Sequence, residues 1–258
     1  MSPILETRGL VRTFGAVVAA NNINVCINKG EIVGVIGSNG AGKTTFINMV
    51  TGYLPPTSGE ILFEGQSILG RAPRDNTRQG ISRSFQVAQL FAQLTVLENM
   101  LIALAAAESP KPSFFRKLGT ADRCARAMDI LKAFGVDRYR DAVISAVPQG
   151  VRKLVDIGMA LVSKPRMLLL DEPTSGVSTD EKFPLMDIVM AEVRKHGVTV
   201  LFVEHDMEII ARYVTRIIAF YSGEVIADGP PKEVLANARV QELVIGHHID
   251  PNLLKDAA

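Results

Sequence analysis

Charge of one sign, cysteine and long apolar runs are what this sequence has least of. Its 258 residues carry 28 Lys and Arg against 27 Asp and Glu, a formal net charge of +1. A chain this close to neutral has no bulk electrostatic footprint for nucleic acid, and no nucleic-acid partner is expected. Cysteine occurs at Cys26 and Cys124 alone, in neither a CxxC nor any metal-ligand spacing. Two reduced thiols in an intracellular protein are the expectation. The longest uncharged apolar run, about Met100 to Ala107, falls far short of the roughly 20 residues a membrane helix requires. The opening Met1-Ser2-Pro3-Ile4-Leu5-Glu6 has no basic region leading into an apolar stretch, so no signal peptide is expected. Membrane contact is therefore expected only through partners. Internal repeats and low-complexity tracts are absent from the sequence.

What is present is the composition of a globular protein. With 47% hydrophobic and 21% charged residues, the chain can bury a substantial core as one large domain or a domain with a subdomain. Short apolar runs alternate with helical spacing, which predicts an α/β layered fold. Glu31 to Ile36 reads as a buried strand ahead of a glycine-rich loop, and Lys43 to Val50 as a helix. Ser58 to Gly65 reads as a turn followed by an edge-type strand. From 87 to 159 helical spacing takes over, with Val151, Leu154, Val155, Gly158, Leu161 and Val162 on one helix face. A helical subdomain is expected there, interrupted by a loop at Glu108-Ser109-Pro110-Lys111-Pro112. Strand signals return at Met167 to Leu170 and Val198 to Val203. A hairpin follows, Arg216 to Phe220 and Glu224 to Ala227, turning at Ser222-Gly223.

The strongest local signal is Gly37-Ser38-Asn39-Gly40-Ala41-Gly42-Lys43-Thr44, which fits G-x-x-x-x-G-K-[ST]. Glycines let the backbone wrap tightly and turn its N–H groups inward. The helix that begins there adds its unpaired N–H groups and its dipole. In such a loop Lys43 would reach the β- and γ-phosphates of a nucleotide and the Thr44 hydroxyl would bind Mg²⁺, with Thr45 beside it.

A phosphate loop alone does not hydrolyse ATP. A second Mg²⁺ ligand and a group that activates water are needed. Met167-Leu168-Leu169-Leu170-Asp171-Glu172 supplies both at the end of an apolar strand. Asp171 would take the metal, and Glu172 would polarise the attacking water as general base. His205 follows another apolar strand, and residues just past parallel strand ends gather on one edge of a sheet. It could contact the γ-phosphate and hold the water. Gln86, in Ser84-Phe85-Gln86, reads in isolation as a surface glutamine.

Together these pieces resemble the ATP-binding subunits of ABC transporters, over about residues 5 to 246. The resemblance implies a P-loop NTPase (RecA-like) core with an antiparallel β subdomain, from 1–86 and 160–258, and a helical subdomain, 87–159, all within one ATP-binding domain, 1–258. It implies ATP and Mg²⁺ as cofactors. Phe14, in Phe14-Gly15, resembles the family's aromatic residue that stacks on adenine. Gln86 matches the loop glutamine that contacts Mg²⁺ and water, Glu172 the catalytic glutamate and His205 the switch histidine. The family pairs head to tail, so a second ATP-binding subunit, identical or not, and transmembrane permease subunits are the implied partners. The cytoplasmic face of the inner (plasma) membrane is the implied location. Phe85, Val87, Leu90, Phe91, Leu94 and Met100 would line a groove for a short helix of the membrane subunit, and Phe114-Phe115 would be either an exposed contact or a helix anchor. Val203-Glu204-His205-Asp206-Met207 and Ala238 to Gly246 resemble the branched-chain amino acid importer group, with importers of urea and short amides close behind. No extra regulatory domain is expected after Gly246. Two other readings stay open: a non-hydrolysing partner subunit, and a soluble ABC ATPase outside transport.

Two departures from the family pattern stand out. Where the signature usually reads Leu-Ser-Gly-Gly-Gln, this chain has Val147-Pro148-Gln149-Gly150-Val151. The serine hydroxyl is gone, and Pro148 has no N–H, although proline suits the first turn of a helix. If the partner subunit is not identical, the two composite sites are expected to be unequal, the weaker one using Pro148. Ser175-Gly176-Val177-Ser178 ends in serine where aspartate is frequent. Ser178 with Glu181 would make a capping box, while Pro184 would fall inside the helix and delay its start.

Overall fold

The computed structural model describes residues 3–86, 88–108 and 117–246. In chain order its elements are β1 (Leu5–Phe14), β2 (Val17–Ile27), β3 (Ile32–Gly37), α1 (Lys43–Thr51), β4 (Ser58–Phe63), β5 (Gln66–Ser67), α2 (Pro73–Arg78), β6 (Ile81–Ser84), α3 (Val96–Glu108), α4 (Ala121–Ala133), α5 (Gln149–Leu161), β7 (Met167–Asp171), α6 (Thr179–Lys195), β8 (Thr199–Val203), α7 (Met207–Tyr213), β9 (Arg216–Tyr221), β10 (Glu224–Gly229) and α8 (Pro231–Ala236). Two compact units divide the chain: Met1–Asn76 with Thr199–Ala258, and Thr77–Val198.

In the first unit β3 lies between β8 and β9, parallel to both, with Val33 opposite Leu201 and Arg216. Every residue of β3 and of β8 is buried. A strand covered on both faces needs a continuous apolar run rather than alternation, and that is what the sequence carries there. β9 returns as β10 through Ser222 and Gly223, both at positive φ (49° and 81°), the geometry that two-residue hairpins favour. On the other side of the phosphate loop α1 buries Phe46, whose ring lies 5.4 Å from that of Phe220 on β9. A second, antiparallel sheet runs β2-β1-β4-β5. Its strands alternate, with Ile23, Val25 and Ile27 inward along β2. The edge-type strand expected from Ser58 is not at an edge. β4 pairs with β1 on one side and with the two-residue β5 on the other, and its short length and glycine misled the sequence reading.

The second unit holds the parallel pair β6 and β7, in register from Ile81 opposite Met167 to Ser84 opposite Leu170. The stretch expected to be helical, 87–159, carries α3, α4 and most of α5. The face predicted for α5 is buried at Leu154, Val155, Gly158 and Val162, and burial extends around the middle of the helix to Lys153, Asp156 and Ile157. α6 begins at Thr179 and runs through Pro184 without delay. A proline this near the N-terminus costs one carbonyl partner, and Lys182 already bonds back to Ser178. Ser178 does stand at the N-cap, but not in the expected box: its hydroxyl donates to the Glu181 carboxylate at 2.9 Å, and no side-chain cap bond forms. Ser109 to Pro112, Phe114-Phe115 and Val87 lie outside the described residues. Among the described residues no helix is long and apolar enough to cross a membrane.

Candidate nucleotide site

Tight backbone packing shapes the phosphate loop in the first unit. A Cβ on Gly37 would sit 2.6 Å from the Phe220 carbonyl oxygen. One on Gly42 would meet the Ala19 carbonyl oxygen at 2.5 Å, and Gly42 sits at φ 101° as the N-cap of α1. Neither position tolerates a side chain, so the loop is held open by β2 and β9. Ser38, Asn39, Gly40 and Ala41 form its turn, closed by an Ala41 N–H to Ser38 carbonyl bond of 3.1 Å. The first helical bond runs from the Phe46 N–H to the Gly42 carbonyl. Lys43, only 6% exposed, folds its ammonium over the loop and donates to the carbonyls of Gly37 (2.5 Å) and Ser38 (3.0 Å). Thr44 is exposed at the mouth and Thr45 half-buried. A cluster of backbone amides, a helix N-terminus and a lysine charge can hold an anion there.

Phe14 closes β1 beside the hairpin to β2, paired with Val17, and is 48% exposed. The Arg12 guanidinium stacks 4.6 Å from its ring centroid. An exposed aromatic face can stack a base. His205 is exposed just past β8, and its N–H donates to the buried Glu204 carboxylate at 3.1 Å. Asp206 then caps α7 by accepting from the Glu208 and Ile209 N–H groups.

The remaining candidates lie in the second unit. Gln86, exposed after β6, donates its side-chain amide to Glu172 Oε2 at 2.6 Å. The structure thus brings together two residues 86 positions apart that the sequence paired only through resemblance. Glu172 holds a left-handed backbone, φ 47°, a conformation that costs a non-glycine residue about 1 kcal/mol or more. Asp171 ends β7 with its carboxylate held by Arg83 at 2.6 Å, both side chains 8% exposed. Arg83 was invisible in the sequence, because its role depends on β6 lying beside β7.

Two further residues were missed. Lys153, fully buried on α5, donates to the carbonyl oxygens of Gln86 (2.6 Å), Glu172 (3.2 Å) and Phe85 (3.5 Å). Asp156, one turn along, accepts from the Ser84 hydroxyl (2.5 Å) and the Gln89 N–H (3.1 Å). Burial pushes the Asp156 carboxyl above the usual carboxylate range, against the pull of the Ser84 and Gln89 bonds and the Lys153 charge. The only sequence signal was an opposite-charge pair at i, i+3, which is equally common on solvated helix faces.

At the other end of α5, Pro148 is the N-cap residue and Val147 is buried beneath it. Gln149 is exposed and Gly150 half-buried in the first turn. Gln149 lies against Gly176, and Gly150 against Val177 of the loop into α6 and Glu181 in that helix's first turn. The altered signature segment therefore still forms a helix N-terminus.

The family model described as ABC transporter matches residues 20–175. A probable branched-chain amino acid transport ATP-binding protein LivG of Methanocaldococcus jannaschii is 34% identical, covering 94% of this chain and 97% of its own. The high-affinity branched-chain amino acid transport ATP-binding protein LivG of Escherichia coli K12 is also 34% identical, over 95% of this chain and 98% of its own. Among solved structures, the ADP conformation of MJ1267, an ATP-binding cassette of an ABC transporter, superposes with a TM-score of 0.83 at 32% identity, covering 94% of this chain and 98% of that one. A dimeric post-hydrolysis state of the cassette MJ0796 with ADP and Pi gives 0.75 at 26% identity, over 88% and 98%. The fold is that of the P-loop nucleotide hydrolases, as the strand–loop–helix at Gly37 to Thr44 requires. The chain belongs to the ABC transporter family as one of its ATP-binding subunits, related to LivG, and it is a nucleotide-binding ATPase.

Proposed function

We propose that this subunit energises an importer of branched-chain amino acids or of related small hydrophobic solutes such as short amides and urea. It would work as one half of an ATP-dependent dimer at the cytoplasmic face of the plasma membrane, bound there through permease subunits. The solute class is supported by relatives so named that align over nearly the whole chain, at 34% and, for BraF of Pseudomonas aeruginosa, 31% identity. The dimer is supported by the paired state of one related cassette. For the permease contact, Phe91 offers 52% of its surface, and Phe85, Leu90 and Leu94 are partly exposed. Met100 is wholly buried and belongs to the core of the helical subdomain, 87–159, instead.

In this reading the backbone of Gly37, Ser38, Asn39, Gly40, Ala41 and Gly42 cradles the phosphates, with Lys43 supplying charge and Thr44 and Thr45 closing the mouth. Phe14 stacks the adenine. By their chemistry the Thr44 hydroxyl, the Gln86 amide oxygen and the Asp171 carboxylate would offer magnesium oxygen ligands alone, which suits an ion bound jointly by substrate phosphates. Magnesium, when bound, neutralises charge on the β- and γ-phosphates. Glu172 takes the proton of the attacking water, Gln86 fixes the Glu172 carboxylate, and His205 holds the water or the γ-phosphate. The observation that carries the hydrolytic reading is the 2.6 Å bond from Gln86 to Glu172. It aims a general base with a residue that can also touch the metal.

Uptake tests the solute class. A strain lacking this subunit should lose accumulation of labelled leucine, isoleucine or valine, or else of urea or a short amide, and regain it with the wild-type chain but not with Glu172→Gln. Undiminished uptake of all of these would refute the assignment.

The Pro148 departure yields a second expected result. Pro148→Ser restores a hydroxyl and an N–H at the head of α5. Loss of one oriented donor from a charge-stabilising site costs about 10²–10³ in rate, so gaining one should raise turnover at saturating ATP by up to about that factor, with ATP affinity little changed. Steady-state turnover at or below wild type would mean that Pro148 is no defect.

A further inference from the structure

The buried charges on α5 have no place in the chemistry described so far. Lys153 has no measurable exposure and Asp156 6%. Burying an ammonium costs several kcal/mol unless its protons are met by acceptors. A methionine of similar length would fill the same space without that cost. The lysine instead spends its donors on the carbonyls of Phe85, Gln86 and Glu172, while Asp156 takes the Ser84 hydroxyl and the Gln89 N–H. Three residues apart, the two side chains share one face of the helix. They grip the chain on both sides of Gln86: Ser84 and Phe85 before it, Gln89 after it. Lys153 alone also reaches the backbone of Glu172, at the residue that carries the left-handed φ.

We propose that Lys153 and Asp156 are positioning residues for hydrolysis, a two-charge clamp that fixes Gln86 and Glu172 relative to each other so that the amide of one aims the carboxylate of the other. The proposal rests on the reading of Gln86 and Glu172 given above. The clamp acts on backbone atoms and on the Ser84 hydroxyl, so it sets where the Gln86 and Glu172 side chains start from. Displacing a catalytic group by about 1 Å through a remote change can cost about 10²-fold in rate. The effect should fall on turnover rather than on binding, because the bonds of Lys153 and Asp156 run to the segments that carry Gln86 and Glu172.

The test uses the purified full-length chain with MgCl₂. Steady-state hydrolysis, the affinity of a fluorescent non-hydrolysable ATP analogue and a thermal melt are measured for Lys153→Met, Asp156→Asn, Glu172→Gln and the double variant Lys153→Met/Glu172→Gln. Lys153→Met should lower kcat about 10²-fold while KM and the analogue's Kd stay within about threefold. Its melt should stay cooperative, at or above the wild-type midpoint. In the Glu172→Gln background the same substitution should cost less than about twofold, since a clamp has nothing left to aim. Asp156→Asn should lower kcat in the same direction but less, because an amide oxygen still accepts one of the two bonds. Should Lys153→Met melt without a cooperative transition, Lys153→Gln, which keeps two donors, and Asp156→Asn carry the same comparison. A kcat for the lysine variants within threefold of wild type, alongside a large loss in Glu172→Gln, overturns the clamp and leaves the site reading intact. Equal losses in both backgrounds also overturn it, by making Lys153 a support of the fold alone. Full turnover in Glu172→Gln strikes the site reading itself and takes the clamp with it.

Discussion

Glu172→Gln is expected to lower ATP turnover by about two to four orders of magnitude, the range a positioned general base contributes, with ATP affinity within a few-fold of wild type. The substitution is nearly isosteric. An amide oxygen at the same place can still accept the Gln86 N–H that now reaches Oε2 at 2.6 Å. The left-handed backbone and the bond from Lys153 to the Glu172 carbonyl involve no side-chain atom of Glu172. What disappears is the ability to take a proton from water. The phosphate loop lies elsewhere in the sequence and keeps its own bonds, among them those from Lys43 to the carbonyls of Gly37 and Ser38. Turnover and binding should therefore separate cleanly: a kcat collapse measured by phosphate release, beside an unchanged analogue Kd. A variant that keeps more than a tenth of wild-type turnover would remove Glu172 from the role of base and leave water activation without a residue.

How much of this could be seen in the sequence depended on how local each determinant is. The phosphate loop is contiguous, so Gly37 to Thr44 was legible from spacing alone, although the close approach of Gly37 to Phe220 and of Gly42 to Ala19 was not. Asp171 and Glu172 were legible because an apolar strand ending in two carboxylates accompanies a phosphate loop in the same chain. Phe14 and Gln86 needed the family resemblance, since a lone aromatic or amide carries no spacing, whereas His205 was singled out by its place just past an apolar strand. β2 was hidden in the sequence because its first half breaks the alternation, with consecutive exposed residues at Val17-Val18 and Asn21-Asn22 before the regular pattern sets in at Ile23. β6 is four residues long, two of them serines that are buried only because α5 and β7 meet them. The clamp was the deepest omission. A lysine and an aspartate three apart on a helix look like a surface pair, and only tertiary packing turns them inward. Local patterns reveal where groups are exposed to choice; buried charges are decided by what folds over them.

Lys43→Met should fail at the step before Glu172→Gln does. The ammonium is 6% exposed and lies against the carbonyls of Gly37 and Ser38, inside the loop that is to receive the β- and γ-phosphates. Truncating one partner of a buried, hydrogen-bonded charge pair costs about 2–5 kcal/mol. At 1.4 kcal/mol per decade that is a loss of about 30-fold to a few thousand-fold in affinity for Mg-ATP. Methionine keeps the straight stem that packs beneath the loop, so the fold should hold, and losing an ammonium from an interior position should not lower the melting midpoint. Lys43→Arg should not rescue binding: a planar guanidinium is too broad for a place shaped around a compact ammonium and its short carbonyl contacts. The two substitutions thus fail in different quantities. Glu172→Gln binds nucleotide and does not turn it over; Lys43→Met does not hold it at working concentrations. Titration calorimetry with ATP and magnesium decides the matter. Wild-type affinity in Lys43→Met would mean that the charge of this loop does not engage the phosphates, and the assignment of Gly37 to Thr44 as the nucleotide cradle would have to be abandoned.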